Sequence, residues 1–291
     1  MNNLRGIFLM VAAMAGFALE DMFIKRASVK LPVGQILMIL GAGGGATFAT
    51  LTLRGGTRLW SRALLTGPVL LRNTGEVVGT TGFVLAVALI PISTASAILQ
   101  ATPLAVTLGA ALFLDEKVGW RRWSAIAVGF VGVLVVIRPG MAGFEPDSLF
   151  AVLGVIGLSV RDLATRRCPR TVTTMQLSAY GFLLMIPVGG ILLFFGDAPR
   201  PVGRLDMLGL GGAMVVGTLA YYALVEAVRI GDVSVVTPFR YSRLVFALIV
   251  GVVVFAERPD GLTLVGAGLI IGSGLYTFMR ERRLVNAIRA A

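Results

Sequence analysis

Histidine is absent from the 291 residues, and cysteine occurs once, as Cys168. The first absence excludes His-ligated metal sites and His-based proton relays. The second excludes an internal disulfide. Charge is scarce: 14% of residues are charged, against roughly 25% in an ordinary soluble domain. A chain that is 56% hydrophobic, with mean hydropathy +0.88, lacks the polar surface it would need in water. Acidic residues are the scarcer sign, 15 against 26 basic ones, for a net charge of +11. That excess sits between the apolar runs, as membrane topology demands, so no nucleic-acid partner is expected. No cofactor and no metal are expected either.

What the chain does contain is apolar runs in two sets of five. They cover approximately 5–26, 34–53, 66–89, 93–114 and 123–138, then 148–168, 174–195, 206–228, 233–255 and 262–280. About 20 apolar residues cross a ~30 Å hydrocarbon core. The fifth run is short, with its uninterrupted part from Ser124 to Ile137. Ile7 to Leu19 is followed at once by Glu20 and Asp21, and Met22 to Ile24 resume the apolar character. That pattern predicts a retained first helix rather than a cleaved signal segment. The expected fold is an all-α integral membrane protein of ten transmembrane helices. An odd number of spans per set makes the second set cross in the opposite sense, which gives two inverted five-helix repeats, 1–141 and 142–291. With the N-terminus inside, the loops and tails place 15 Lys and Arg residues on the cytoplasmic side and 7 outside. Both termini are therefore expected in the cytoplasm, in a plasma (inner) membrane. The halves align at a constant offset of 141, which matches Gly16 with Gly157, Asp21 with Asp162, Gln35 with Gln176, Ser93 with Ser234 and Glu116 with Glu257.

Charged residues inside spans are the sharpest chemical signal, because each costs roughly 2.5–3.5 kcal/mol at the bilayer centre. Arg72 and Glu76 lie four apart on the third span, hence on one face. Arg240 and Arg243 lie three apart on the ninth, and Glu226 sits on the eighth. Facing one cavity, these five would leave a positive surplus that attracts a carboxylate. The competing account is a salt-bridge network that only holds helices in register. On the fourth span Ser96, Gln100, Pro103 and Thr107 form one polar stripe, which lines a water-filled path or a helix contact. Pro103 can kink that helix, and Pro238, beside Arg240, is its counterpart on the ninth. Among the tyrosines, Tyr222 is the preferred wall residue because it lies four before Glu226. Asp21 and Asp162 join Glu76 and Glu226 as candidates for proton coupling, although both aspartates would be satisfied by water at helix ends. Gly41 to Gly45 lacks the Lys-Ser or Lys-Thr of a nucleotide loop and sits inside an apolar span, so close helix packing is its expected role.

Each half resembles an EamA-type unit of the drug/metabolite transporter superfamily. The resemblance rests on Gly16-Phe17-Ala18-Leu19 running to Lys25, on Ala95 to Glu116 with Pro103 inside it, and on Val233 to Glu257 with a displaced Pro238. The family's usual Gly-Glu ending is Asp115-Glu116 in the first half and Ala256-Glu257 in the second. The resemblance implies ten helices, alternating access and a small-metabolite cargo; the amino-acid exporter branch is the nearest likeness. On that basis the expected partners are a small-molecule substrate and the lipid bilayer. The expected function is amino-acid export, with Arg72, Arg240 or Arg243 near the carboxylate and with Ser96, Gln100 and Tyr222 as walls. Export of cationic compounds, with Glu76 and Glu226 as contacts, is the alternative transporter reading. An intramembrane enzyme ranks last, since no nucleophile has a base beside it.

Overall fold

The computed structural model describes residues 3–114, 119–141, 143–230 and 233–290, with the side chains of 228, 229, 233, 234 and 280–290 excepted. Asp115, Glu116 and Lys117 lie outside the described residues. Regular structure among the described residues is all helical: α1 Asn3–Ser28, α2 Val33–Arg54, α3 Gly67–Leu89, α4 Ile92–Leu99, α5 Thr102–Phe113, α6 Trp120–Ile137, α7 Ser148–Thr165, α8 Thr174–Phe195, α9 Arg204–Ile230, α10 Val233–Val236, α11 Ser242–Phe255 and α12 Gly261–Ala290. Among the described residues nine stretches are long and apolar enough to cross a membrane, with α4 and α5 counted together. The 23-residue α3 is not one of the nine; it is long enough but carries Arg72, Asn73, Thr74 and Glu76. It is the polar member of a set whose other helices have the composition of lipid-embedded spans.

The chain forms two compact units. The first comprises Met1–Leu19, Ile90–Leu149 and Val216–Ala291, and the second comprises Glu20–Leu89 and Phe150–Val215. Each unit draws on both halves of the sequence, so helices pair across the repeat rather than within it. In the second unit α2 lies on α8. A Cβ on Gly189 would stand 2.3 Å from the Gly34 carbonyl oxygen, and one on Gly41 would stand 2.8 Å from that of Phe182. The Gly41–Gly45 run is thus a packing surface, as expected, and Phe48 stacks on Phe182 with centroids 5.5 Å apart. In the first unit Met10, Ala13 and Met14 of α1 form a core with Ala227 and Val236.

Equivalent residues make equivalent contacts. A Cβ on Gly157 would come 2.2 Å from the Gly79 nitrogen in the second unit. At the offset of 141 that pair corresponds to Gly16 and Ala220, and a Cβ on Gly16 would come 2.8 Å from the Ala220 Cβ in the first unit. Gln35 donates from Nε2 to the Arg200 carbonyl at 2.8 Å, and its counterpart Gln176 donates to the Arg58 carbonyl at 2.7 Å. Both glutamines thus tie the first turn of a helix to a loop backbone. The duplication read from rare polar matches therefore corresponds to repeated packing.

The fourth span is broken in both halves. α4 stops at Leu99 and α5 starts at Thr102, with Pro103 near its start, where the missing N–H costs nothing. In the second half α10 passes into a tight 3-10 turn, Thr237–Tyr241, before α11 begins. The helices that resume after the breaks, α5 and α11, start within one residue of the 141 offset. The stripe Ser96–Gln100–Pro103–Thr107 is therefore divided between two short helices rather than carried by one kinked helix.

Two helix ends sit in the left-handed region, Arg138 at φ 55° after α6 and Ala256 at φ 53° after α11. Arg138 pairs with both oxygens of Asp260, and Asp260 caps α12 by accepting the Thr263 N–H at 2.9 Å. Hydrogen bonds from Thr263, and then from Arg138, hold the Asp260 carboxyl down at about 2. Two predictions follow from these ends. Ala256 carries a Cβ where glycine would be unstrained, so Ala256→Gly should stabilise the protein by about 1 kcal/mol, read as a higher thermal midpoint in detergent. An unchanged or lower midpoint would count against the strain. For Asp260 the folded pKa lies below the ordinary ~3.9, so its contribution is complete above about pH 4 and is lost as pH falls through about 2. The midpoint gap between wild type and Asp260→Asn should be constant near neutrality and should close between those two pH values; a gap that persists at low pH would contradict the assignment.

Candidate functional site

Glycines set the geometry of the charged site. Gly75 and Gly79 on α3 let α7 approach so closely that a Cβ on Gly75 would stand 2.7 Å from the Arg161 nitrogen. This brings Arg161 of α7 to Glu76 of α3. On the α8 side Gly181 leaves the space that Arg72 and Glu76 fill, since its Cβ would stand 3.1 Å from Arg72 Nη1 and 3.2 Å from Glu76 Cγ.

Within that space Arg72 Nη2 donates to Glu76 Oε2 at 2.6 Å, and Nη1 donates to the Leu177 carbonyl at 2.8 Å and to Asn73 Oδ1 at 3.1 Å. The other Glu76 oxygen accepts from Thr80 at 3.1 Å and from Arg161 Nη1 at 3.3 Å. Arg161 in turn holds Asp162 through Nε at 2.9 Å and Nη2 at 2.8 Å. Side-chain exposure rises along the series, 9% at Arg72, 16% at Glu76, 25% at Arg161 and 32% at Asp162. The cluster thus leads from a buried arginine to a half-open aspartate. Two cations face two anions, so the cluster is locally neutral.

Arg161 went unremarked in the sequence, and it changes the sum expected there. Counting Arg72, Arg240 and Arg243 against Glu76 and Glu226 gave a positive surplus, but Arg161 and Asp162 belong with the first pair. A signal existed: Arg161 aligns with Glu20 at the 141 offset, a charge reversal inside an apolar span. The five expected residues also divide between units, with Arg72 and Glu76 in the second and Glu226, Arg240 and Arg243 in the first.

In the first unit polar groups gather at the helix breaks and at the start of α4. Gln100 Nε2 donates to the Tyr241 carbonyl at 3.1 Å and to the Arg240 carbonyl at 3.4 Å, carbonyls of the 3-10 turn. Glu257 covers the start of α4: Oε1 accepts the Ile92 N–H at 2.6 Å, and Oε2 accepts the Ser93 N–H at 3.1 Å and its hydroxyl at 2.7 Å. A carboxylate at that end also meets the positive pole of the helix. The Arg243 guanidinium lies over the Phe17 ring at 5.3 Å from its centroid, a cation–π contact. Ser96 is only 1% exposed, and its hydroxyl has no hydrogen-bond partner among the described residues.

Three expected residues stand differently from their sequence reading. Tyr222 is 63% exposed and shares the face of α9 that carries Val215 and Leu219, both as exposed, so it lies on an apolar outer stripe. Asp21 is 3% exposed, and α1 continues to Ser28, so it is not a helix-end acid in water. Asp162 is bound to Arg161. Glu226 is partly buried on α9.

Removing the central carboxylate tests the cluster. Glu76→Gln leaves two buried guanidiniums without their shared anion, and breaking such a pair costs about 3–5 kcal/mol. A large drop in the thermal midpoint in detergent is expected; a variant as stable as wild type would show that the cluster is not coupled through Glu76.

Similarity to known proteins agrees with this architecture. The model of the EamA-like transporter family matches twice, at residues 4–138 and 147–279. A riboflavin transporter of Vibrio cholerae is 30% identical over 290 residues, covering 97% of this chain and 95% of that protein. An S-adenosylmethionine uptake transporter of Rickettsia conorii is 26% identical over 212 residues, covering 72% and 70%. A pseudopaline exporter of Pseudomonas aeruginosa is 26% identical over 275 residues, covering 91% and 93%. A solved crystal structure superposes with a TM-score of 0.62 at 22% identity, covering 94% of this chain and 98% of its own, a likeness of fold alone. With both halves matched, and with an all-helical, membrane-spanning duplicated fold, the chain belongs to the EamA-like transporter family.

Proposed function

We propose that this integral membrane transporter moves a small organic metabolite with an anionic or zwitterionic group, by alternating access. The observation that carries the reading is the pair of broken fourth spans latched by Gln100. Transporters commonly place cargo at discontinuous helices, where freed backbone groups and helix ends can face a ligand. Arg240 lies in one break and Arg243 just after it, with Glu226 as the acidic span residue of the same unit. Two of these three are cationic, which suits an anionic group on the cargo. The unsatisfied Ser96 hydroxyl, four residues before Gln100, supplies a further polar contact.

The relatives' names favour a cargo such as riboflavin or S-adenosylmethionine over a simple amino acid; of the two, S-adenosylmethionine carries the carboxylate that the arginines suit, whereas riboflavin is uncharged. Amino-acid export remains the second reading, supported by the same two arginines. Names of both uptake and export occur among the relatives, so direction is part of the test. The repeats 1–141 and 142–291, with both termini in the cytoplasm as the basic loops favour, complete the proposal.

Proteoliposomes loaded or bathed with labelled riboflavin, S-adenosylmethionine and a panel of amino acids test it, with and without a pH gradient. Movement of at least one compound is expected, reduced about tenfold or more in Arg243→Ala. If none moves, the cargo class is wrong; if Arg243→Ala folds and transports normally, that arginine leaves the site. Transport indifferent to the gradient would remove proton coupling through Asp21, Glu226 or the Glu76–Asp162 cluster.

A further inference from the structure

α6 and α12 touch through glycine: a Cβ on Gly132 would stand 2.8 Å from the Gly266 carbonyl oxygen. Toward the Trp120 end of α6 the same helix pair borders an open groove of about 360 Å³, lined by Trp120, Arg121, Ser124, Val128, Ser273 and Tyr276. All of these residues belong to the first unit. The chemistry changes along the groove. Trp120 and Arg121 line its end at the start of α6, and Ser273 and Tyr276 line it from α12. Val128 lies seven residues further along α6, about 10 Å deeper. The Arg121 guanidinium lies 5.3 Å from the centroid of the Trp120 ring, which braces it at the helix end. Tryptophan and tyrosine at such a level mark the boundary between headgroups and acyl chains.

Outside the groove the basic character continues in sequence, with Arg122 beside it and with Arg280, Arg282 and Arg283 within seven residues of Tyr276. Clusters of this kind favour anionic headgroups by charge. A guanidinium donates a fork of hydrogen bonds to the phosphate that every phospholipid carries; the choline cation of a zwitterionic lipid cancels the charge attraction of such a cluster, so net charge sets the preference.

We propose that this groove is a binding site for one anionic phospholipid. Its phosphate meets Arg121 and the Tyr276 hydroxyl, and an acyl chain lies along Val128. The side of the membrane on which it sits rests on the proposed topology; the groove itself does not, and lipid binding in detergent can be read whether or not the cargo is known.

Full-length protein in a neutral detergent is titrated with phosphatidylglycerol or phosphatidylcholine, and bound lipid is counted by native mass spectrometry. Phosphatidylglycerol should bind several-fold more tightly than phosphatidylcholine. Arg121→Ala should cut that preference roughly fivefold, the share of one basic residue near an anionic headgroup. Arg121→Lys should keep most of it, and Arg170→Ala, in a loop of the other unit, should leave it intact. Val128→Trp fills the groove and should weaken binding of both lipids. Equal affinity for the two lipids, an unchanged preference in Arg121→Ala, undiminished binding in Val128→Trp, or a dimer that buries Trp120 and excludes lipid would each overturn the site.

Discussion

A lipid bilayer offers no water to an unpaired backbone group, and this constraint governs the fold. An unbroken helix satisfies itself. A broken one must find donors and acceptors elsewhere in the protein. Both fourth spans are broken, and the side chains that meet the start of the first and the break of the second come from the opposite half of the sequence. Glu257 supplies two carboxylate oxygens to the first amides of α4. Gln100 supplies its amide to two carbonyls of the 3-10 turn. The same contacts therefore also join the two repeats inside one unit.

The second requirement is close approach. Lipid tails are as apolar as leucine, so helix association depends on contact and on polar pairing rather than on escape from water. Glycine supplies the contact at α2–α8, α3–α7 and α6–α12. At α3–α7 it also determines the chemistry. The absence of side chains at Gly75 and Gly79 lets Arg161 reach Glu76, and the small Gly181 leaves room for Arg72. The charges can be buried because the glycines bring every one of them to a partner.

The spans were legible in the sequence because lipid imposes length and hydrophobicity on each helix separately. The expected third span, 66–89, and α3, Gly67–Leu89, nearly coincide. Gly41–Gly45 was legible for the same reason, since a glycine run in an apolar span has few other uses. What escaped was whatever depends on a partner helix. Arg161 stands out only once α3 brings Glu76 within reach of it. Asp21 was read as an acid satisfied by water near a helix end, whereas it is buried and α1 continues to Ser28. Tyr222 was assigned from its spacing to Glu226, but spacing fixes only a shared face. The neighbours Val215 and Leu219 show that this part of the face is apolar and outward. The helix breaks were half visible: proline marked both regions, yet the carbonyls of the second break are met by Gln100 from across the repeat. The family's glycine before glutamate also gains a physical reason, since Ala256 occupies the left-handed conformation that glycine adopts without strain.

Duplication separates the residues that serve packing from those that do not. The contact of Gly157 with Gly79 recurs as Gly16 with Ala220, so the close crossing of these helix pairs belongs to the scaffold. Of the charges beside that crossing only Asp162 recurs in kind, as Asp21. At the 141 offset Arg72 corresponds to Ala213, Glu76 to Gly217 and Arg161 to Glu20. One copy of the crossing thus forms with alanine and glycine where the other carries an arginine and a glutamate. Register between the helices is available without ion pairs, and buried ion pairs are weak sources of stability compared with apolar packing of equal volume. Helix packing alone therefore gives no reason to keep the Arg72–Glu76 pair, which only one of the two crossings carries.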